Sequence, residues 1–445
     1  MRHSNITRRV LRVGIFFDGT ANNAFNILSG QARQAQGLVV DTGSSYAGVA
    51  TNIAKLYQCY PAQKAFDGNG QALAALYVSG IGTTTGAADT AFPGLTYGRG
   101  RTGVLGKADQ AQAQLIECLR HFVSLEAPGS ITRLQLDIFG FSRGAAAARH
   151  FANQVHSIAF KTQFQLAPEF ECEIQFVGLF DTVAAMGGLE DLGDVGDEVN
   201  PGLNLYLGPK CAQQVVQLNA RDEQRRNFSL SRIAPQWPMD IAVPGAHADV
   251  GGGYPDETQE QVFLTRRQSN LVSPSTSIKA TQTWKLTQAQ LLAWQAEDLI
   301  DPKDPDAFLE IRTREQPEGS RQDPMKRVQA AVFMQRRVQG QLSRVYLRIM
   351  HGLACEQGVP FGKLTDAQAG LPDELLPIAA QLEVQVRQGR IRLSAGEERL
   401  LRQRYVHQSA NWNANVGEGL GVLDKAFFNI PQEGGRSVYE QKAPV

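Results

Sequence analysis

The sequence predicts an α/β fold in which helices cover both faces of a mainly parallel sheet, followed by a helical region toward the C-terminus. Three observations lead to this prediction. Short apolar runs alternate with helical periodicity over the first ~250 residues, as strands and helices do in a parallel sheet. A Gly-x-Ser-x-Gly string lies at a strand-to-helix junction, and acidic and histidine residues follow two later strands.

The elements follow in order from these patterns. Apolar runs predict strands, since a strand covered on both faces is apolar almost throughout. They lie at 10–17, 74–78, 134–139, 174–180 and 239–243. Apolar residues at helical spacing predict helices at 51–60, 108–122, 143–158 and 211–228. Because ligands bind at the carboxyl ends of parallel strands, we expect functional residues to follow strands.

The carboxyl half of the chain is more polar. Segments 257–283 and 301–323 are rich in Gln, Ser, Thr, Asp and Pro, and they are predicted to be mobile connections or edges of a cap. An apolar face through 325–355 predicts a helix that forms either a lid or pocket wall or a plain packing element. The predicted division is a core over 1–260, a polar connecting or cap segment over 261–325, and a helical region packed on the core over 326–445.

Composition and charge argue against several classes of protein. Lys+Arg and Asp+Glu both number 44, so no net field favours nucleic acid or an anionic membrane. The five cysteines include no Cys-x-x-Cys pair, which suggests neither a disulfide framework nor a thiolate zinc site. Arg12 interrupts the first apolar run, as suits a buried strand better than an export signal, and no run is long enough to span a bilayer. We expect a cytoplasmic protein without a signal peptide.

The pentapeptide Gly140-Phe141-Ser142-Arg143-Gly144 has the form of a nucleophile elbow. It follows the predicted strand 134–139 and precedes the alanine-rich stretch 145–148. An elbow needs small residues on either side of the serine, because strand and helix approach closely there. The string alone is a weak signal, and its strand-to-helix context is the stronger one. Ser142 is therefore the candidate nucleophile.

Two further residues complete a candidate triad. Asp181 and His247 each follow a predicted strand, and the order Ser142, Asp181, His247 is that of α/β-hydrolases. Histidine takes the serine proton and returns it to the leaving group, while the carboxylate orients the imidazole. Taken singly, Asp181 could equally be a cap and His247 a turn residue. Together with the elbow, the three residues predict nucleophilic catalysis by a serine.

The loop Asp18-Gly19-Thr20 ends the first predicted strand at the same sheet edge. Hydrolases commonly place one oxyanion-hole amide in such a loop and the other directly after the nucleophile, here at Arg143. We therefore expect the Arg143 and Gly19 amides to form the hole, with Asp18 and Thr20 as candidate substrate contacts. The alternative is a simple turn capped by Asp18.

A second loop follows His247. Asp249 and glycines 251–253 are expected to hold this loop, although a carboxylate beside loop carbonyls also suits calcium. We predict no metal and no cofactor.

Four ordered blocks resemble the type VI secretion system phospholipase effectors, a family of antibacterial lipases with an α/β-hydrolase domain. The blocks are Phe16-Phe17-Asp18-Gly19-Thr20, Gly140-Phe141-Ser142-Arg143-Gly144, Phe180-Asp181-Thr182-Val183, and Pro244 to Tyr254. A weaker block includes Tyr405-Val406-His407. The resemblance implies a nucleophile at Ser142, an acid at Asp181 and a base at His247. It also implies a toxin delivered by a secretion spike or tube component, which hydrolyses phospholipid acyl esters at the target-cell membrane from the periplasm. A cognate immunity protein would protect the producer.

The predicted activity is thus a phospholipase A type serine esterase. Two alternatives stay open: a small-ester or thioester hydrolase, and a non-catalytic hydrolase-fold binding module. His247 is favoured over His407 as the base, because only His247 follows a predicted strand, and His407 is instead a candidate substrate contact. The glycine-rich stretch 80–106 lacks the Walker ending and is predicted to be a mobile loop at the pocket rim, with Arg99 and Arg101 as candidate lipid-phosphate contacts.

Overall fold

The computed structural model describes residues 8–36, 38–40, 44–85, 103–164, 166–184, 202–413 and 429–443. Its strands, numbered along the described chain, are β1 (Arg9–Phe17), β2 (Gln71–Val78), β3 (Ile131–Phe141), β4 (Glu171–Phe180), β5 (Gln214–Ala220), β6 (Leu230–Ser231), β7 (Asp240–Val243), β8 (Glu257–Phe263), β9 (Gln268–Val272), β10 (Phe308–Gly319), β11 (Pro324–Gln339) and β12 (Val438–Tyr439). Its α-helices are α1 (Ala24–Ala35), α2 (Asn52–Cys59), α3 (Val104–Ser124), α4 (Arg143–Val155), α5 (Phe160–Gln163), α6 (His247–Gly251), α7 (Gln282–Ala296), α8 (Leu342–Glu356), α9 (Asp366–Ala369), α10 (Leu376–Arg387) and α11 (Ala395–Arg404).

The main sheet has six strands in the order β2-β1-β3-β4-β5-β7, and every pairing in it is parallel. Helices cover both of its faces, so the predicted fold class is confirmed. The predicted strands at 10–17, 74–78, 134–139, 174–180 and 239–243 all belong to this sheet. Their carboxyl ends meet at one edge, where the candidate functional residues follow them.

The two faces of the sheet bury separate apolar clusters. In β1, Leu11, Val13 and Ile15 point toward α3 and α4, whereas Phe16 points to the other face, toward α2, α8 and α10. Burial on both sides explains why this strand is apolar with only one charged interruption. The alanines at the start of α4 are fully buried, and their small side chains let the helix pack closely on the sheet.

One predicted helix is wrong. Residues 211–228 form β5 and an extended loop instead, because Val215, Val216 and Leu218 are buried in the middle of the parallel sheet. A short apolar run fits a buried strand as well as a buried helix, so periodicity alone does not separate the two.

The polar segments also hold regular structure. Strands β8, β9, β10 and β11 form a second, antiparallel sheet, so the prediction of mobile connections over 257–283 and 301–323 is wrong for much of their length. The predicted helix over 325–355 is β11 followed by α8. Every even-numbered residue of β11 from Val328 to Val338 is buried, which is the two-residue period of a strand. Spacings of four and six residues fit that period too.

The chain returns to the sheet edge at its end. Residues 429–443, here called the C-terminal strap, run beside the segment that follows β5, and β12 pairs with β6 in parallel. Helices α8, α10 and α11 confirm helical structure within the predicted region 326–445. Among the residues described, no helix is both long and apolar enough to cross a membrane.

Candidate active site

The elbow residue Ser142 has a backbone conformation that non-glycine residues rarely adopt, with φ 59° and ψ −131°. The close approach that requires small neighbours is present on both sides. A Cβ atom on Gly140 would lie 2.6 Å from the Cα of Ala145, and one on Gly144 would lie 2.2 Å from the carbonyl oxygen of Asp18. The local sequence therefore imposes a sharp strand-to-helix turn with the serine at its apex.

Backbone hydrogen bonds tie this elbow to the end of β4. The Ser142 amide donates to the Phe180 carbonyl at 3.0 Å, and the Ser142 carbonyl accepts from the Val183 amide at 3.3 Å. These bonds bring Asp181, between those two residues, beside the elbow. Ser142 Oγ makes no hydrogen bond with the described residues, and in enzymes without substrate such contacts are often long.

His247 and Asp181 form a buried pair, with 2.5 Å between His247 Nδ1 and Asp181 Oδ2. His247 opens α6, and Asp181 has a positive φ of 43° in the turn after β4. The His247 ring packs against Phe141 at 4.6 Å and Phe228 at 4.9 Å between ring centroids. Two aromatic neighbours and one carboxylate thus fix the position of the imidazole.

The Asp181 carboxylate is held by more than the histidine. Oδ1 accepts from the Ala220 amide at 2.8 Å, and the Arg436 guanidinium donates to both oxygens, each at 2.8 Å. Burial disfavours the charged carboxylate, but Arg436 and the His247 hydrogen bond outweigh burial and hold the pKa of Asp181 well below its usual range. Asp181 therefore remains ionised at neutral pH.

Burial governs the protonation of His247. It lowers the pKa of the imidazole, although the hydrogen bond to Asp181 opposes this shift. The ring is therefore neutral at neutral pH, the state in which it can accept a proton. The backbone of His247 is fixed as well, since its amide donates to Glu223 at 3.2 Å, and Glu223 is paired with Arg225.

The loop after β1 is tightly tied to its own aspartate. Asp18 is 1% exposed and accepts from the Gly19 amide at 2.7 Å, from Thr51 Oγ1 at 2.6 Å and from the Tyr77 hydroxyl. The Gly19 amide is therefore occupied, while Thr20 Oγ1 is buried without a partner. Gly19 lies against the elbow, since a Cβ there would come within 2.5 Å of the Phe141 ring. Arg143 opens α4 directly after the serine.

His407 belongs to a different pair. Its Nδ1 lies 2.6 Å from Asp249 Oδ1, and its ring stacks on Tyr254 at 3.6 Å between centroids. Asp249 also accepts from the amides of Ala246 and His407, at 2.9 and 3.0 Å. The carboxylate thus ties the turn before His247 to the segment after α11, and this is how Asp249 holds the loop.

Arg99 and Arg101, the two predicted lipid-phosphate contacts, lie outside the described residues. No group of three or more His, Cys, Asp or Glu side chains in the described part of the chain is arranged to hold a metal ion.

Sequence reasoning missed Arg436 and Glu223. Arg436 lies in a polar stretch without a strand or motif beside it, and nothing in its neighbourhood indicates a site. Glu223 follows Asp222 and lies among Arg221, Arg225 and Arg226, and such a run of mixed charge is a weak signal of a buried ion pair. Only the fold shows that these residues converge on Asp181 and His247.

The chain is similar to known proteins in sequence and in fold. The profile of the family described as the catalytic domain of Tle1-like phospholipase effectors of the type VI secretion system matches residues 159–274, a span that contains Asp181 and His247. A solved structure of the Tle1 effector bound to the VgrG spike of that system superposes with a TM-score of 0.76. The two chains are 29% identical, and the match covers 98% of this chain and 94% of the other.

A second solved structure, of an uncharacterized protein from Pseudomonas aeruginosa, has a TM-score of 0.43 and 17% identity, over 89% of this chain and 53% of its own. No curated protein matches the sequence. The family profile spans the segment that holds the His–Asp pair but begins after the elbow, whereas the match to the Tle1 effector structure covers nearly the whole chain. In sequence and in structure the chain is thus similar to the Tle1-like phospholipase effectors of the type VI secretion system.

Proposed function

We propose that the chain is a serine esterase of the phospholipase A type, with Ser142 as nucleophile, His247 as base and Asp181 as the orienting carboxylate. The observation that carries the proposal is the strained elbow at Ser142, joined by backbone hydrogen bonds to the strand end that holds the buried Asp181–His247 pair. The lipase character of the family supports an acyl ester as substrate.

The reaction follows from the positions of these groups. Neutral His247 removes the proton of the Ser142 hydroxyl as Oγ attacks the carbonyl carbon of an acyl ester. The tetrahedral intermediate collapses, and His247 returns the proton to the leaving alcohol, which departs as a lysophospholipid. Water, deprotonated by His247, then attacks the acyl-enzyme and releases a fatty acid. Asp181 stabilises the imidazolium in both halves of the cycle.

The oxyanion needs preorganised donors. We assign one to the Arg143 amide, which opens α4 next to the nucleophile. For the second, the geometry favours Thr20 over Gly19, because the Gly19 amide is bonded to Asp18 and Thr20 Oγ1 has no partner. Asp18 then acts on the loop and not on the substrate, since its oxygens are occupied by Gly19, Thr51 and Tyr77.

Delivery and target form the outer part of the proposal. The Tle1 effector of the similar structure is bound to a VgrG spike, so we propose that this chain also travels on a spike protein and acts on phospholipids of a target cell as an antibacterial toxin. A cognate immunity protein in the producer would block it.

The experiment that tests the enzyme measures fatty-acid release from phospholipid vesicles together with labelling by a fluorophosphonate probe. We expect both from the wild-type chain and neither from Ser142→Ala. Turnover of short soluble esters without release from vesicles would indicate a small-ester hydrolase. Absence of labelling in a folded wild-type protein would instead indicate a non-catalytic binding module.

A further inference from the structure

The C-terminal strap reaches into the candidate active site. Its backbone is bonded along the segment after β5: the Arg226 amide donates to the Ile430 carbonyl at 2.9 Å, and the Leu230 amide donates to the Ser437 carbonyl at 2.9 Å. Arg436, between these anchor points, is a nearly buried side chain with 6% exposure. Its guanidinium is thus carried into the site by a segment that ends the chain.

Arg436 uses its donors on three partners. Two parallel bonds of 2.8 Å reach both oxygens of Asp181, a bidentate geometry that fixes the plane of the carboxylate. A third bond reaches the Ala220 carbonyl at 3.2 Å, and Nε donates to the Phe228 carbonyl. Phe228 is one of the two rings that flank His247. Arg436 therefore holds both the carboxylate and one wall around the imidazole.

We propose that Arg436 is a positioning residue of the esterase, and that the C-terminal strap completes the active site by orienting Asp181 toward His247. This inference rests on the proposed function. A carboxylate that orients a histidine must present one oxygen to Nδ1, and Asp181 sits in a turn after its strand where a single backbone amide contacts it. The guanidinium supplies the second constraint that keeps Oδ2 aimed at His247.

The ion pair also sets the charge that the imidazole experiences. A lone buried carboxylate stabilises an imidazolium strongly, and a guanidinium on the same carboxylate offsets part of that effect. The charged side chains around His247 are Asp181 after β4, Glu223 and Arg225 after β5, Asp249 on α6, and Arg436 on the strap. Removing only Arg436 leaves a more negative surrounding, so His247 should protonate at higher pH.

The test compares Arg436→Met, Arg436→Lys and wild type in the full chain, with rates divided by the concentration of active sites titrated with the fluorophosphonate. We expect Arg436→Met to lower kcat at least about tenfold, but less than the ~10⁴-fold cost of disabling the carboxylate itself, with little change in KM. The acid limb of kcat/KM should move to higher pH. Arg436→Lys keeps the positive charge but loses the bidentate geometry. The acid limb of its kcat/KM profile should stay near that of wild type, and its kcat should fall by less than that of Arg436→Met.

Gln441→Ala is the matched control. Gln441 anchors the same strap through the Leu207 amide, the Ile233 carbonyl and Arg149, and it does not touch Asp181. We expect its kcat per active site and its pH limb to match those of wild type. An Arg436→Met protein with unchanged kcat per active site and an unmoved limb would overturn the proposal and leave Arg436 a purely structural role. Failure of the esterase proposal would be recognised separately, by the absence of labelling in wild type.

Discussion

The described part of the chain contains two buried His–Asp pairs, and they differ in what surrounds the histidine. His247 pairs with Asp181 beside a strained serine, whereas His407 pairs with Asp249 and stacks on Tyr254. The first carboxylate also receives a guanidinium, while the second receives two backbone amides. The same residue types therefore build a candidate reaction centre in one place. In the other they form a contact that joins two backbone segments, here called the clasp (Asp249 and His407). The position beside the strained serine, and not the pair itself, separates the two candidate roles.

The largest expected effect comes from removing Ser142, the proposed nucleophile beside the first pair. Ser142→Ala should lower vesicle hydrolysis by at least about 1,000-fold, because members of a triad act as a unit. The fold should persist, since one hydroxyl leaves little cavity and alanine keeps the side chain small. Fatty-acid release and circular dichroism measure the two outcomes. Undiminished release by a folded variant would end the serine-esterase proposal.

The same His→Asn substitution in each pair should affect activity differently. The asparagine amide nitrogen can replace Nδ1 as a donor to the carboxylate, but asparagine has nothing at the position of Nε2. His247→Asn should therefore lose activity about as severely as Ser142→Ala. His407→Asn should keep most of its activity, because its Nε2 has no partner to lose.

The ratio of the two rates at equal folded fraction decides the assignment. Rates in the reverse order, with both variants folded, would move the base to His407. The turn between Gly245 and Tyr254 would then become a structural feature that supports the other pair.

Substitutions of the two carboxylates, Asp181 and Asp249, should also differ in their effects on activity and on stability. Asp181→Asn forces the wrong imidazole tautomer and should lower kcat by about 10³–10⁴-fold with little change in KM. Asp249→Asn should act mainly on folding, at about 1–2 kcal/mol, because it weakens bonds from Ala246 and His407 that are buried. Denaturant unfolding and steady-state kinetics of both variants measure the contrast. A change confined to KM in Asp181→Asn would give Asp181 a structural role instead.

A pH profile tests the electrostatics of the first pair alone. His247 must be neutral to accept the serine proton, so activity should fall as pH decreases through its pKa. Burial lowers that pKa from its ordinary value of 6.5, which puts the midpoint of the acid limb of kcat/KM below pH ~6.5. His407→Asn should leave this midpoint in place. A midpoint above that value in wild type would mean that the Asp181 hydrogen bond outweighs burial.

Much of the first pair could be predicted from the sequence because each member follows a strand of the same parallel sheet. Ser142, Asp181 and His247 inherit their positions from β3, β4 and β7, and topology brings those strand ends together. The partner of His407 could not be predicted from the sequence, because Asp249 and His407 are 158 positions apart and no strand precedes the histidine. Sequence order carries no distance between segments that meet only through packing.

The prediction of secondary structure failed where a helical period and a strand period fit the same residues. In β11 every second residue from Val328 to Val338 is buried, yet Val328, Val332 and Val338 also suit a helix. The loop Asp18-Gly19-Thr20 shows a different limit of sequence-based prediction. Glycine at position 19 permits close approach to Phe141, but its amide is taken by the preceding carboxylate, and a motif does not show which donors are already occupied.

The smallest expected effect concerns the ring that marks the second pair. Tyr254 stacks on His407 with an interplanar angle of 11°, and such aromatic contacts contribute about 0.5–1.5 kcal/mol. Tyr254→Leu should lower the free energy of unfolding by about that amount, whereas Tyr254→Phe keeps the ring and should change it little. Neither should alter kcat, because the ring touches the clasp and not His247. Thermal unfolding and vesicle hydrolysis measure both quantities. A loss of kcat in Tyr254→Leu at equal folded fraction would show that packing around His407 affects the position of His247. Both pairs would then contribute to activity, and they would differ only in how much.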